Sequence, residues 1–240
     1  MDGLLLVDKP IGCTSHDIVD RVRRALKIRA VGHAGTLDPF ASGLLILGIG
    51  KGTKALTPLV GLDKHYEVTI ELGKRTTTFD TEGEVTETVD PNKQPPTLEQ
   101  IQSALLPFTG TFSQKAPLYS AKKLNGTPLY KLARAGTATE ELRPSKDVTI
   151  SSLTIRAYHW PKLELEVHCS SGTYIRSLAD DLGEALGVHG HACALRRTMI
   201  GSLSIDRAIS GDALTDEQIA SHLIALDPAS TSPGAQNQTP

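Results

Sequence analysis

Among the residues able to do chemistry, Asp38 has the most telling surroundings. It lies within Val31-Gly32-His33-Ala34-Gly35-Thr36-Leu37-Asp38-Pro39-Phe40-Ala41-Ser42-Gly43-Leu44-Leu45, beside an imidazole, a proline and several glycines. Pro39 steers Asp38 out of helical backbone into an extended or turn conformation, and the glycines permit tight turns and close approach by a ligand. The following run Leu44-Leu45-Ile46-Leu47 reads as a core strand that anchors the loop. A carboxylate on a Gly-rich loop held by rigid structure is one way to present a general base or nucleophile. The local pattern also admits a plainer reading, in which Asp-Pro merely starts a turn.

Other constellations are weaker. Gly48-Ile49-Gly50-Lys51-Gly52-Thr53 resembles a phosphate loop only superficially, because glycine rather than Ser or Thr follows Lys51. His189, His191 and Cys193 are two apart, with Cys169 upstream, but lack the spacing of metal-binding motifs and are assigned to packing. There is no GxSxG elbow. Tyr66 opens an alternating segment, where it is either an ordinary strand residue or a ring that stacks on an unstacked base. Arg176 stands at a predicted helix start, where the helix dipole disfavours a cation. Such a placement points to a specific partner, a carboxylate being the natural one.

The elements that must position these residues follow from periodicity. Residues 4–7 read as a strand. Thr14 or Ser15 caps a helix whose Ile18, Val19, Val22, Ala25 and Leu26 share one face. A strand at 44–49 follows the Asp38 loop, and a short helix at 53–60 is expected to break near Pro58. Tyr66, Val68, Ile70 and Leu72 alternate with Glu67, Thr69 and Glu71 as a half-buried strand. Residues 85–89 form a weaker strand, and Thr97 caps a helix ending near Leu106. Residues 114–144 read as a long basic insertion with a short helix from 128 to 135. Paired strands are predicted at 148–158 and 163–169, a helix at 172–186 with Gly187 as its cap, and strand-like sequence at 195–205. Helices interspersed with strands, without a regular βαβ rhythm, point to an α+β fold.

Composition sets the wider bounds. The chain has 240 residues, three widely spaced cysteines and a formal charge of −2. An odd, scattered cysteine set suggests no disulfide framework and fits a reducing cytoplasm. No segment approaches the length of a membrane span. The near-zero net charge speaks weakly against nucleic acid, but its distribution speaks for it. Lys115, Lys122, Lys123, Lys131, Arg134, Arg143 and Lys146 cluster in the insertion, and Arg21, Arg23, Arg24, Lys27 and Arg29 in the first helix. Acid gathers instead at 63–103 and after 203. A face polarised in this way can hold a phosphate backbone, although each cluster taken alone is equally a solvated surface.

Taken together the motifs resemble one family, the TruB-type tRNA pseudouridine synthases. Lys9-Pro10-x-Gly12-x-Thr14-Ser15 resembles its first motif, the Asp38 string its catalytic loop, and Gly172-Thr173-Tyr174-Ile175-Arg176 the segment carrying its active-site Arg. Pro117-x-Tyr119-Ser120-Ala121 and Gly126-x-Pro128-Leu129-Tyr130 match the inserted RNA-contacting segment, and Leu195-Arg196-Arg197 the pocket leucine with its basic neighbours. His65 departs from the pattern, where many relatives carry Arg.

The resemblance implies a mixed, largely antiparallel central sheet with flanking helices. The catalytic domain would span 1–210 with its insertion at 115–144, followed by a short helical extension at 211–226 and a disordered tail at 227–240. The family's C-terminal PUA domain is expected to be missing. The implied reaction turns uridine into pseudouridine at position 55 in the T-loop of tRNA, with the base flipped out and neither cofactor nor metal required. Asp38 would be the catalytic residue, oriented by Arg176. His33, Tyr66, Tyr174 and Leu195 would surround the base. Lys115, Tyr119, Lys122, Lys123, Lys131, Arg134, Arg196 and Arg197 would contact the T-arm of tRNA. The protein is expected to be a cytoplasmic monomer with no membrane contact. Two alternatives stay open, an isomerase for other RNA stem-loops and an RNA-binding or tRNA-folding module.

Overall fold

The computed structural model describes residues 1–212 and 214–226, the Glu140 side chain excepted, so the tail expected at 227–240 lies outside the described residues. The chain runs through β1 (Gly3–Lys9), α1 (Ser15–Leu26), β2 (Val31–Ala34), β3 (Ser42–Ile49) and α2 (Leu56–Val60). Next come β4 (Lys64–Leu72), β5 (Lys74–Thr76), β6 (Val85–Thr88), α3 (Leu98–Leu105) and β7 (Gly110–Lys115). The basic segment holds β8 (Lys123–Leu124), β9 (Thr127–Pro128) and α4 (Leu129–Arg134). Then follow β10 (Ser145–His159), β11 (Lys162–Cys169), α5 (Ile175–Ala185), β12 (Gly190–Ile200), β13 (Leu203–Ser204), β14 (Ile209–Ser210) and α6 (Asp216–His222). These elements form two compact units, Met1–Gly61 with the segment from Ser202 onward, and Leu62–Gly201.

In the first unit β1 pairs antiparallel with β3 over its full length and parallel with β14, and β2 adds to the other side of β3. The helix α1 starts on a capping box, in which the Thr14 side chain accepts from the Asp17 N–H and the Asp17 carboxylate accepts from the Thr14 N–H at 2.7 Å. Its Ile18, Val19 and Val22 pack on Leu5, Val7, Leu45, Leu47 and Ile49, and Ile219 of α6 closes the cluster. Residues 50–55 form a 3-10 helix that passes into α2 at Leu56. The helix is therefore not broken near Pro58. That proline sits in the first turn of α2, where its missing N–H has no intrahelical partner to lose. The glycines of 48–53 serve packing, since a Cβ on Gly52 would overlap the Gly3 carbonyl.

The second unit holds an antiparallel sheet in the order β12-β4-β11-β10-β7. The alternation read in β4 is present, with Lys64, Val68, Ile70 and Leu72 buried on one face. Several strands went unanticipated, among them the short β8 and β9 of the basic segment. β5 pairs with β6 as a hairpin. β7 takes Gln114 and Lys115 out of the expected insertion; it lies at the end of the strand order and most of its side chains are not buried. The helix α5 begins at Ile175 rather than Gly172, whose φ of 84° lies outside the helical region. Gly187, at φ 64°, follows its C-terminus and donates to the Glu184 carbonyl at 2.9 Å, as expected for a terminating glycine.

Arg75 on β5 holds Asp180 of α5 with two bonds, at 2.7 and 3.0 Å. Burial, and then the charge of Asp180, push the carboxyl of neighbouring Asp181 up to about 6 from an ordinary 3.8. A carboxyl that holds its proton more tightly in the folded state favours folding below its unfolded value. That contribution is lost as pH rises through the folded value, where the group must be ionised in half-buried surroundings. Asp181→Asn is therefore expected to raise the thermal midpoint at pH 7.5, with the difference from the parent vanishing below pH 4. Calorimetry at the two pH values checks this, and a difference independent of pH would contradict it.

Candidate active site

The acid of the Gly-rich loop follows directly from a strand. The first part of the Gly-rich stretch is not loop but the strand β2, which pairs with β3 and carries His33 opposite Leu47. Gly35, at φ 81°, turns the chain out of β2. The loop is then pinned at two points. The Ser15 hydroxyl, at the start of α1, donates to the Leu37 carbonyl at 3.1 Å and accepts from the Leu37 N–H at 2.8 Å. The Gly12 N–H donates to the Pro39 carbonyl at 2.8 Å, and the Ala41 N–H closes a turn on the Asp38 carbonyl at 3.1 Å. Leu37 and Ala41 are buried on either side, while Asp38 is half-buried. Main-chain bonds and buried flanks thus fix where the carboxylate starts from.

A second group of candidates is organised around Arg176. Its side chain is 4% exposed, against the solvated state usual for an Arg at a helix start. Nη1 donates to the Thr78 carbonyl at 2.8 Å and lies 3.4 Å from Asp80 Oδ2, and Nη2 donates to the Tyr119 carbonyl at 2.9 Å. Asp80 is itself buried and braced, its Oδ1 accepting from the Thr78 hydroxyl at 2.5 Å and the Glu82 N–H at 2.9 Å. Between them Phe79 takes a positive φ of 61° while the guanidinium groups of Arg75 and Arg143 lie over its ring at 5.3 and 5.1 Å. Tyr174 stands at the cap of α5. Gln114 clamps it through the main chain, accepting from its N–H at 2.8 Å and donating to its carbonyl at 3.0 Å.

Tyr66 on β4 is half-buried, with Val167 and Arg197 as its cross-strand partners. Leu195 lies opposite Val68 and is buried. Arg196 is half-buried and pairs with Glu67, whereas Arg197 is 1% exposed, so it is not a surface contact in this structure. Lys64, two residues before Tyr66 on the same strand face, is also buried. Burial, then the charge of Arg197, lower its ammonium to about 8. His65 stacks on His168 with ring centroids 3.5 Å apart, and burial followed by that neighbour lowers its pKa.

In the basic segment Lys115, Lys122, Lys123, Lys131 and Arg134 are exposed and Tyr119 is half-buried. Arg143 turns inward and donates to the Ala116 carbonyl at 2.8 Å. The residues considered for a metal go to separate partners. His189 bonds Glu184, His191 faces the Lys74 carbonyl, and Cys193 accepts from Lys162. The sequence alone does not single out Asp80 or Lys64, and it offers Ser15 only as a cap and motif residue and Gln114 only as the start of the basic insertion. Asp80 sits in a Thr- and Asp-rich stretch that looks like any polar turn, and only the pairing partners of β4 reveal Lys64 as buried.

Comparison with known proteins assigns a class to this arrangement. The N-terminal domain of the TruB family pseudouridylate synthases matches residues 23–175, and the tRNA pseudouridylate synthase B C-terminal domain matches residues 176–227. The chain belongs to the TruB family. It is 46% identical over 230 residues to the tRNA pseudouridine synthase B of Burkholderia lata, covering 95% of this chain and 69% of that protein. It is also 46% identical to the protein of that name from Opitutus terrae, covering 89% of this chain and 87% of that one. Among solved structures, the crystal structure of a Cbf5-Nop10-Gar1 complex aligns with a TM-score of 0.66 at 26% identity. That alignment covers 87% of this chain but 52% of the other.

The pinning of the Asp38 loop has a measurable consequence. Ser15→Ala removes a buried hydroxyl and strands both polar groups of Leu37, so a loss of about 2 kcal/mol is expected. Thr14→Ala removes only the exposed cap, which costs about 1 kcal/mol. Urea denaturation of the two variants should rank Ser15→Ala as the more damaging, and the reverse order would contradict the assignment.

Proposed function

We propose that this chain isomerises uridine to pseudouridine in the T-loop of tRNA, at position 55, with Asp38 as the catalytic residue. The identity shared with proteins named tRNA pseudouridine synthase B, across nearly the whole chain, supports the reaction and its substrate. The observation that carries the role of Asp38 is its loop, pinned by Ser15 and Gly12 so that one half-buried carboxylate is presented in a defined place.

The reaction breaks the N1–C1′ bond, turns the uracil and forms a C5–C1′ bond, while C5 gives up a proton and N1 gains one. Atoms and electrons balance without a second reactant. Attack by a carboxylate at C1′ or C6, and removal of the C2′ proton, all start from Asp38. Arg176 orients the acid and supplies positive charge. The target base is stacked inside the T-loop and has to be flipped out to react. Tyr66 stacks on it, Tyr174 borders it and Leu195 keeps water away. His33 contacts the flipped nucleotide or fills the space it leaves.

Lys115, Tyr119, Lys122, Lys123, Lys131, Arg134 and Arg196 hold the T-arm, chiefly through phosphates. Arg197, with Lys64, adds buried positive charge beside Tyr66 instead. We take the enzyme to act as a cytoplasmic monomer. No helix among the described residues is long and apolar enough to cross a membrane.

The test is direct. Purified protein is incubated with an unmodified tRNA transcript and modified uridines are mapped. The parent is expected to modify the T-loop uridine, while Asp38→Ala binds the transcript with similar affinity and forms no product. Substantial product from Asp38→Ala would remove Asp38 as the catalyst. Binding by a parent protein that forms no product would favour an RNA-folding module.

A further inference from the structure

Among the described residues, Ser120 has a buried hydroxyl oxygen with no hydrogen-bond partner, in a residue 6% exposed. Nearby main-chain carbonyls are engaged. The Tyr119 carbonyl accepts from Arg176 Nη2 at 2.9 Å, and the carbonyl of Ser120 itself accepts from the Tyr130 N–H at 3.1 Å. The Leu129 N–H donates to the Lys122 carbonyl at 2.8 Å. The main chain here is stitched to the Arg176 guanidinium on one side and to the first turn of α4 on the other. The hydroxyl lies between these two attachments with nothing to bond.

A hydroxyl taken out of water without a replacement bond opposes folding, and alanine at the same place would avoid that loss. A serine kept at this cost points to a hydrogen bond formed in a state other than the free protein. The surrounding segment carries the exposed cations Lys122, Lys123, Lys131 and Arg134, which makes RNA the ligand that this segment meets. Because Ser120 directly follows the residue that holds Arg176, its hydroxyl belongs to the nucleotide served by that guanidinium rather than to distant backbone. Serine can both donate and accept, so it suits a ribose hydroxyl or a uracil carbonyl equally.

We infer that Ser120 is a substrate contact, whose hydroxyl forms a hydrogen bond to an oxygen of the target nucleotide when RNA is bound. The inference rests on the reaction proposed above. It predicts opposite effects of one substitution on stability and on function, a combination that a merely structural serine does not produce.

The experiment compares the parent and Ser120→Ala in thermal unfolding and in single-turnover reactions on a tRNA transcript. Ser120→Ala is expected to unfold at the same or a higher temperature while its single-turnover rate, with enzyme in excess of RNA but subsaturating, falls about tenfold, the worth of one hydrogen bond. A transcript lacking the target 2′-hydroxyl identifies the partner. Losses in affinity that do not add to those of the variant assign the bond to ribose, and losses that add assign it to the base. A Ser120→Ala rate equal to that of the parent would overturn the inference and leave the proposed reaction standing. So would a marked drop in melting temperature, because the hydroxyl would then already be bonded in the free protein. A parent protein that forms no pseudouridine would remove the proposed reaction, and this inference with it.

Discussion

A guanidinium stays charged at any physiological pH, so burying Arg176 obliges the surrounding chain to bring acceptors to the directions of its fork. Much of the second unit near this residue can be understood as meeting that demand. The turn after β5 delivers the Thr78 carbonyl and the Asp80 carboxylate. The segment after β7 delivers the Tyr119 carbonyl. Asp80 can do so only because Thr78 and Glu82 fix its other oxygen. Positive charge at a helix start is opposed by the helix dipole, and the nearby carboxylate offsets that opposition.

The loop of Asp38 is held by a different means. A buried serine hydroxyl satisfies both polar groups of Leu37, a glycine N–H takes the Pro39 carbonyl, and two apolar side chains lie buried on either side of the acid. These pins fix the backbone that carries the carboxylate. Hydrogen bonds to the backbone thus help fix the Asp38 loop, and charge-assisted bonds help fix Arg176. An isomerisation that exchanges one bond to C1′ for another asks for such positioning above all.

Features whose causes are local were legible in the sequence. The Thr14 and Thr97 caps each lie three residues before a side chain able to complete a capping box, and both boxes are formed. The alternation in β4 and the glycine ending α5 are equally short-range signals. What was missed depends on partners distant in sequence. β7 looks like polar coil, and only its pairing with β10 makes it a strand. Arg197 and Lys64 look like ordinary surface cations until cross-strand register carries them to the buried face beside Tyr66. Asp80 is separated from Arg176 by nearly a hundred residues, and no spacing rule joins them. The Asp38 loop was the reverse case, a chemical motif recognisable at once whose first part is in fact a strand.

The central claim is that Arg176 acts through fixed geometry and not simply through its charge. Arg176→Lys keeps the charge but replaces a rigid fork by a single ammonium, unable to reach the Thr78 and Tyr119 carbonyls and Asp80 in the same way. The deciding measurement is the single-turnover rate of pseudouridine formation by this variant, taken alongside its affinity for tRNA. The expected rate is about 100-fold lower or worse, with affinity nearly unchanged. A rate close to that of the parent would contradict it.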